Sequence, residues 1–153
     1  MKIASIGGLM SMFIMGSVSG AGLGGPGAPE NQLPPCPDSP NCVSTQSESK
    51  RHSMAPLPYL QTREASRERI LSILKGMKRT EIVKLTESTI HVEFRTAIWG
   101  FVDDVEFLFD DAARVVHFRS ASRSGYYDFG LNRRRMKEIS ERYLEAVENE
   151  TTA

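Results

Sequence analysis

The chain has 153 residues, which is enough for one domain built around a single hydrophobic core. Hydrophobic residues make up 40% and charged residues 25% of the chain, proportions that are ordinary for a folded soluble domain. Lysine plus arginine and aspartate plus glutamate number 19 each, so the formal net charge is zero, which argues against a nucleic-acid partner bound through overall positive charge.

The N-terminal 21 residues have the pattern of a secretory signal peptide. Lys2 gives a positive start, residues 3–18 are apolar and rich in small residues, and residues 17–21 offer small side chains at cleavage-like spacing. An uncleaved membrane anchor is the alternative, although the apolar run is shorter than the roughly 20 residues of a spanning helix. We therefore expect an exported protein, either periplasmic or associated with the membrane through an uncleaved N-terminus.

The composition then divides the rest of the chain. Residues 22–35 are mostly Gly, Pro, Ala and Asn, which predicts a flexible linker. Residues 36–148 carry the periodic hydrophobic patterns of a single folded domain, and residues 149–153 are predicted to form a disordered tail.

Both cysteines, Cys36 and Cys42, lie in one proline-rich loop. In an exported protein this arrangement favours a disulfide that acts as a local staple. A redox pair normally has only two residues between its cysteines, and a structural zinc site would need two further ligands nearby, whereas the three histidines are scattered. No metal and no cofactor is indicated.

Hydrophobic periodicity predicts two helices and four strands. The first helix covers residues 62–77, with Thr62 as its N-cap, and strands follow at residues 81–85 and 89–95. Alternation then predicts a third strand around Val105–Phe109 and a fourth around Val115–Arg119, before a helix from about 133 to 148 that is capped by Asn132. This order predicts an α+β fold, with an antiparallel sheet of about four strands and both helices packed on one face.

The polar segment between the fourth strand and the last helix is the candidate ligand site. Small hydroxyl residues, arginines and a glycine would form a concave turn of backbone amides, and the start of the helix would add further donors. A small anionic ligand, or a protein partner, is the expected occupant. The predicted ligand-binding residues are Arg119, Ser120, Ser122, Arg123, Asp128, Asn132 and Arg133.

Two other readings of the same residues stay open. The arginines could pair with carboxylates simply to hold the loops in place, in which case the segment is internal scaffolding and the protein is an interaction module. Alternatively, Asp103 or Asp104 could act as the general base of a hydrolase or transferase, with Arg119 or Arg123 stabilising an oxyanion. Alternation sends the two aspartates to opposite faces of a strand, which argues against a metal held by both.

Three stretches resemble the family described as domain of unknown function 1499. They are residues 36–44 (CPDSPNCVS), 101–106 (FVDDVE) and 119–135 (RSASRSGYYDFGLNRRR), and the resemblance spans roughly residues 33–145. Tyr127 departs mildly from the smaller residue expected at its position. The resemblance implies a small domain that is often exported or membrane-associated, with no established activity and no catalytic residues to assign.

Overall fold

The computed structural model describes the backbone of residues 31–151 and the side chains of residues 31–145. The predicted signal peptide, residues 22–30 of the predicted linker and residues 152–153 lie outside the described residues. In chain order the elements are β1 (Cys42–Ser44), β2 (Leu57–Pro58), α1 (Arg63–Lys75), β3 (Thr80–Leu85), β4 (Thr89–Arg95), β5 (Val102–Asp110), β6 (Val115–Ser122) and α2 (Leu131–Thr151).

All the described strands join one antiparallel sheet in the order β1-β6-β5-β4-β3, and β2 also pairs with β6. The α+β class is confirmed. The sheet has six strands where about four were predicted, because β1 and β2 add two short strands along the free edge of β6. They have three and two residues, too few for an alternating pattern to be visible in a proline-rich sequence.

The two helices pack on the same face of the sheet, as predicted. Side chains of α1 and α2 share one buried cluster with alternate residues of β4, β5 and β6. The cluster includes Ile70, Ile73 and Leu74 from α1, Met136, Ile139 and Tyr143 from α2, and Ile90, Val92, Val105, Phe107, Phe109, Val116 and Phe118 from the sheet. We call this side the helix-covered face and the opposite side the outer face.

The helix boundaries follow local capping chemistry. Thr62 is confirmed as the N-cap of α1, because its hydroxyl accepts a hydrogen bond from the Ala65 N–H. The start of α2 is corrected from the expected residue 133 to Leu131, so Asn132 lies inside the helix and does not cap it. The helix continues to Thr151, and residues 149–151 therefore extend α2 instead of belonging to a disordered tail.

The last part of the predicted linker is ordered against the domain. Leu33 is buried, and its N–H donates to Gln46 Oε1 at 2.8 Å. One buried leucine and one backbone hydrogen bond therefore hold residues 31–35 against the domain, and the flexible linker stays a prediction for residues 22–30. Within residues 31–151, no helix combines the length and hydrophobicity needed to cross a bilayer.

Candidate functional site

The predicted ligand residues separate onto the two faces of the sheet. Ser120, Ala121 and Ser122 lie within β6, where Ala121 pairs with Cys42 on one side and Asp104 on the other. The concave turn predicted from residue 120 onward therefore does not form at residues 120–122, because the backbone of these residues is paired with β1 and β5. Alternation along β6 then turns Ser120 and Ser122 to the helix-covered face and Arg119 to the outer face.

On the helix-covered face, Asn132 is the centre of a buried network. Its Oδ1 accepts hydrogen bonds from Ser120 Oγ at 2.5 Å and from Arg135 Nη1 at 2.8 Å. Its Nδ2 donates to Ser122 Oγ and to the Asn41 carbonyl, both at 3.0 Å. The amide of Asn132 therefore has no spare hydrogen-bonding capacity for a ligand.

The same network contains an ion pair between Arg135 and Asp103. Arg135 Nη2 donates to Asp103 Oδ2 at 2.5 Å, and the guanidinium carbon of Arg135 lies 4.6 Å from the centre of the Phe94 ring. The Asp103 side chain is 1% exposed and that of Arg135 is 8% exposed. Asp103 is thus held as the buried partner of an arginine, which leaves it poorly placed to act as a general base.

Arg135 is not among the seven predicted ligand-binding residues, and its role as a buried ion-pair partner was not predicted, although the sequence contains a signal for it. Arg135 immediately precedes Met136 and lies four residues before Ile139, so it falls beside the inward stripe of α2. Asp103 lies on the same inward side of β5 as Val105 and Phe107. Because Asp103 lies on the inward side of β5 and Arg135 lies beside the inward stripe of α2, the two sequence patterns together predict a buried ion pair.

At the start of α2, Asp128 takes the position in which a bound anion would lie. Its Oδ1 accepts from the Gly130 N–H at 2.9 Å, and its Oδ2 accepts from the Asn132 N–H at 2.8 Å and from Asn132 Nδ2 at 2.9 Å. These are the donors at the start of the helix that were predicted to bind a ligand. An internal carboxylate already satisfies them, as is common at helix N-termini.

On the outer face, Arg123 bridges two acidic side chains. Its Nε donates to Asp104 Oδ2 at 2.7 Å and its Nη2 to Asp104 Oδ1 at 2.8 Å, while Nη2 also donates to Glu93 Oε1. His91 Nε2 lies 2.7 Å from Asp104 Oδ1. Burial raises the pKa of Asp104, but the hydrogen bonds and positive charge of Arg123 and His91 outweigh it and hold that pKa below its ordinary value.

Arg119 forms a second pair on the outer face. Its Nη1 donates to Glu106 Oε2 at 3.3 Å, and both side chains are largely buried. Arg119 Nε is buried and has no hydrogen-bond partner among the described residues. Because that nitrogen is shielded, a ligand could reach it only if its neighbours moved.

Arg133 has a positioning role. Its guanidinium donates to the carbonyl of Ser53 at 3.2 Å and to that of Arg51 at 2.7 Å. These contacts tie the loop after β1 to the first turn of α2. All seven predicted ligand residues therefore hold partners within the chain.

The confirmed disulfide joins its loop to the buried network. Cys36 and Cys42 are bonded, with their Cα atoms 5.7 Å apart. Next to it, Asn41 Nδ2 donates to the Gly125 carbonyl at 2.5 Å, and the Asn41 carbonyl accepts from the Ser122 N–H at 3.1 Å. The loop that the disulfide closes is thereby fixed against the segment between β6 and α2.

His117 also lies on the outer face, with the hydroxyl of Thr45 and the carboxylate of Asp110 near its ring. His117 Nδ1 is 3.0 Å from Thr45 Oγ1, and its Nε2 is 3.9 Å from Asp110 Oδ2, which is too long for a hydrogen bond. Burial lowers the pKa of His117, so the ring is largely neutral at pH 7. However, Thr45 Oγ1 also accepts from the Phe118 N–H at 3.0 Å and joins β6 to the chain after β1, which is a structural role.

A groove of about 610 Å³ lies between residues 31–36 and residues 44–48. None of the seven predicted ligand residues lines it, and neither Asp103 nor Asp104 does. Within the described part of the chain, no cluster of three or more His, Cys, Asp or Glu side chains is arranged to hold a metal ion.

A group of exposed apolar side chains lies at one end of the sheet and was not predicted. The turn between β4 and β5 and the segment between β6 and α2 meet there, since the Arg123 N–H donates to the Val102 carbonyl at 3.0 Å. We define the aromatic end as the exposed side chains of these two segments, which are Ile98, Trp99, Phe101, Tyr126, Tyr127 and Phe129. Trp99 is 76% and Phe129 is 79% exposed.

The aromatic residues are visible in the sequence, but their convergence is not. Each group occupies a turn beyond the end of a strand, where neither helix nor sheet covers it. Only the pairing of β5 with β6 brings the two turns to the same edge.

Comparisons with known proteins place the chain in a family. Neither the curated proteins nor the solved structures contain a match to it. The model of a family described as "Protein of unknown function (DUF1499)" matches residues 32–142, which is more than half of the chain and includes all of the sheet and most of α2. The chain is therefore a member of the DUF1499 family of proteins of unknown function.

Proposed function

We propose that this chain is an exported, non-catalytic domain of the cell envelope that binds a partner through the aromatic end. One contrast carries the proposal. The polar residues that could have performed chemistry are bonded to one another, whereas six large apolar side chains are exposed at one end of the sheet. Exposed apolar clusters of this kind are typical of interaction sites in soluble domains.

Export is supported by the N-terminal pattern of charge, apolar residues and small residues. The Cys36–Cys42 disulfide supports it independently, since such bonds persist in oxidising compartments. Fractionating cells that express the full chain, followed by thiol labelling and mass measurement, would test it. A reduced protein retained in the cytosol would contradict export.

The small-anion form of the prediction has less support. Arg123 is exposed, yet it already contacts Asp104 and Glu93, so an anion would have to displace two carboxylates. The hydrolase or transferase alternative has even less support, because Asp103 and Asp104 each form an ion pair with an arginine and neither lines the groove.

Thermal unfolding of two sets of variants tests the proposal. Arg123→Ala should lower the Tm, because it removes the guanidinium that bridges Asp104 and Glu93 and leaves these carboxylates with only His91 and Arg95 as their partners. Trp99→Ser and Phe129→Asn should leave the Tm unchanged or raise it, because neither ring is packed in the core.

A panel of phosphate, sulfate and dicarboxylates provides the opposing test. We expect no change in the Tm of the native protein with any of them. An anion that raises the Tm of the native protein but not that of Arg123→Ala would overturn the proposal in favour of small-anion binding. A large loss of stability in Trp99→Ser would also overturn it, by making the aromatic end part of the fold.

A further inference from the structure

The exposed charges at the aromatic end are mainly positive. Strand register places the start of β3, the end of β4, the start of β5 and the end of β6 at this edge of the sheet, next to the first turn of α2. The exposed cations there are Lys78, Arg79, Arg95, Arg123 and Arg134, and the exposed acids among the described residues are Asp38 and Glu81. Arg95 and Arg123 are paired with Glu81, Glu93 and Asp104 at the same end, so the cations there without an acidic partner among the described residues are Lys78, Arg79 and Arg134.

Part of that positive charge is uncompensated. Arg79 Nε donates to the Arg95 carbonyl at 3.1 Å, and Arg134 Nη1 donates to the Phe129 carbonyl at 2.6 Å. Neither arginine forms an ion pair with any residue that the structure describes. Their charge is therefore available to an anionic surface.

The backbone at Phe129 is unusual for an exposed aromatic residue. Phe129 has φ of 55°, a left-handed conformation that is unfavourable for a bulky side chain, and Gly130 follows with φ of 74°. The ring packs edge-on against Tyr127, with centroids 5.2 Å apart, and stays in solvent. Strain retained at a displayed side chain is typical of functional positions.

We infer that the aromatic end docks onto a lipid bilayer that contains anionic headgroups. Tryptophan and tyrosine favour the headgroup region because their rings are amphipathic, whereas Phe129 and Ile98 would enter the acyl boundary. The surrounding arginines and lysine would contact lipid phosphates. This inference rests on the proposed function, since it names the partner of the same surface.

A protein is the alternative occupant of this surface, because protein–protein interfaces are also enriched in tyrosine, tryptophan and arginine. The positive charge of Lys78, Arg79 and Arg134, unpaired within the described part of the chain and beside amphipathic rings, favours the anionic bilayer, since lipid phosphates would supply the missing negative charge.

The chain contains its own probe, because Trp99 is the single tryptophan of the 153 residues. The full-length protein would be titrated with vesicles of phosphatidylglycerol mixed with phosphatidylcholine, and with vesicles of phosphatidylcholine alone. We expect a blue shift of Trp99 emission and quenching by brominated lipids with the anionic vesicles. Raising the salt concentration should weaken the response.

All the variants keep the apolar N-terminus, so any difference in their vesicle affinity reports on the aromatic end. Phe129→Asn keeps a residue that tolerates positive φ and removes the ring, so vesicle affinity should fall roughly tenfold. Arg134→Gln should weaken binding to anionic vesicles only. Leu85→Ser is the matched control, because Leu85 is an exposed apolar residue at the opposite end of the sheet, and its affinity should be unchanged.

Two results would overturn this inference. The first is protein that floats with vesicles while Trp99 emission stays unchanged, which would assign binding to the N-terminus. The second is equal loss of affinity in Phe129→Asn and Leu85→Ser. Either result would leave the proposed interaction domain standing with a protein as its partner, whereas an Arg123-dependent anion response would remove the proposed function itself.

Discussion

Arg135 reaches across the interface between α2 and the sheet to bond Asp103, and both side chains are buried on the helix-covered face. The pair also contacts the Asn132 amide and the Phe94 ring, so it connects the last helix to β4, β5 and β6. Its position makes it a fold determinant, and the first prediction concerns its removal.

Replacing one partner of this pair should destabilise the domain severely. Asp103→Ala or Arg135→Met leaves a buried charge without its counterion, which typically costs about 3–5 kcal/mol in the free energy of unfolding. Urea unfolding followed by circular dichroism measures it. The double variant should be more stable than the sum of the two single changes implies, and strict additivity would contradict direct coupling.

Removal of Asp128 should weaken the start of α2. Asp128→Ala leaves the Gly130 and Asn132 N–H groups without their acceptor and should lower the free energy of unfolding by about 1–2 kcal/mol. Asp128→Asn keeps one side-chain oxygen and should lose less. Hydrogen exchange at the first turn of α2 would locate the effect, and unchanged protection there in Asp128→Ala would contradict it.

The Asp104 carboxyl should make stability depend on pH in the acid range. Its pKa is lowered from the ordinary 3.8 in the folded state, so the unfolded chain takes up the proton first as the pH falls. Its stabilising effect is complete well above pH 3.8 and is lost as the pH falls through the lower folded pKa. The stability advantage of the native protein over Asp104→Asn, measured by urea unfolding from neutral pH downward, should therefore disappear in strong acid; a constant difference would refute this.

Loss of the disulfide should destabilise the domain modestly without unfolding it. In the chain-entropy model, a loop closed across about seven residues contributes about 2.4 kcal/mol. Cys36→Ser combined with Cys42→Ser should therefore keep the native circular dichroism spectrum and lower the Tm. Reduction of the native protein should give the same shift, and complete unfolding would show that the staple is essential.

The class of fold could be predicted because its signals are local. The 3.6-residue period around Ile70 and Ile73 and the alternation around Val105 and Phe107 depend only on near neighbours, as does the Thr62 cap. The Cys36–Cys42 disulfide joins two residues of one loop and could therefore be predicted from the sequence as well. The four long strands and two helices follow from such patterns.

The candidate sites depended on contacts between distant parts of the chain. β6 continues to Ser122 because residues 119–121 pair with residues 42–44 and residues 119–122 pair with residues 103–106, and strand alternation then puts Arg119 and Ser120 on opposite faces. No pattern near residue 120 contains that information. The predicted anion site was built on a loop that becomes a strand only in the folded protein.

By itself, the amino-acid sequence determined which segments are helical or extended, which side of each is apolar, and that both cysteines share one loop. Tertiary structure alone decided that Asp128 would fill the helix start, that Arg135 would neutralise Asp103, and that Trp99 and Phe129 would reach one edge of the sheet. The physical reason is range, because periodicity is encoded within a few residues, whereas strand pairing and charge partnership join positions tens of residues apart.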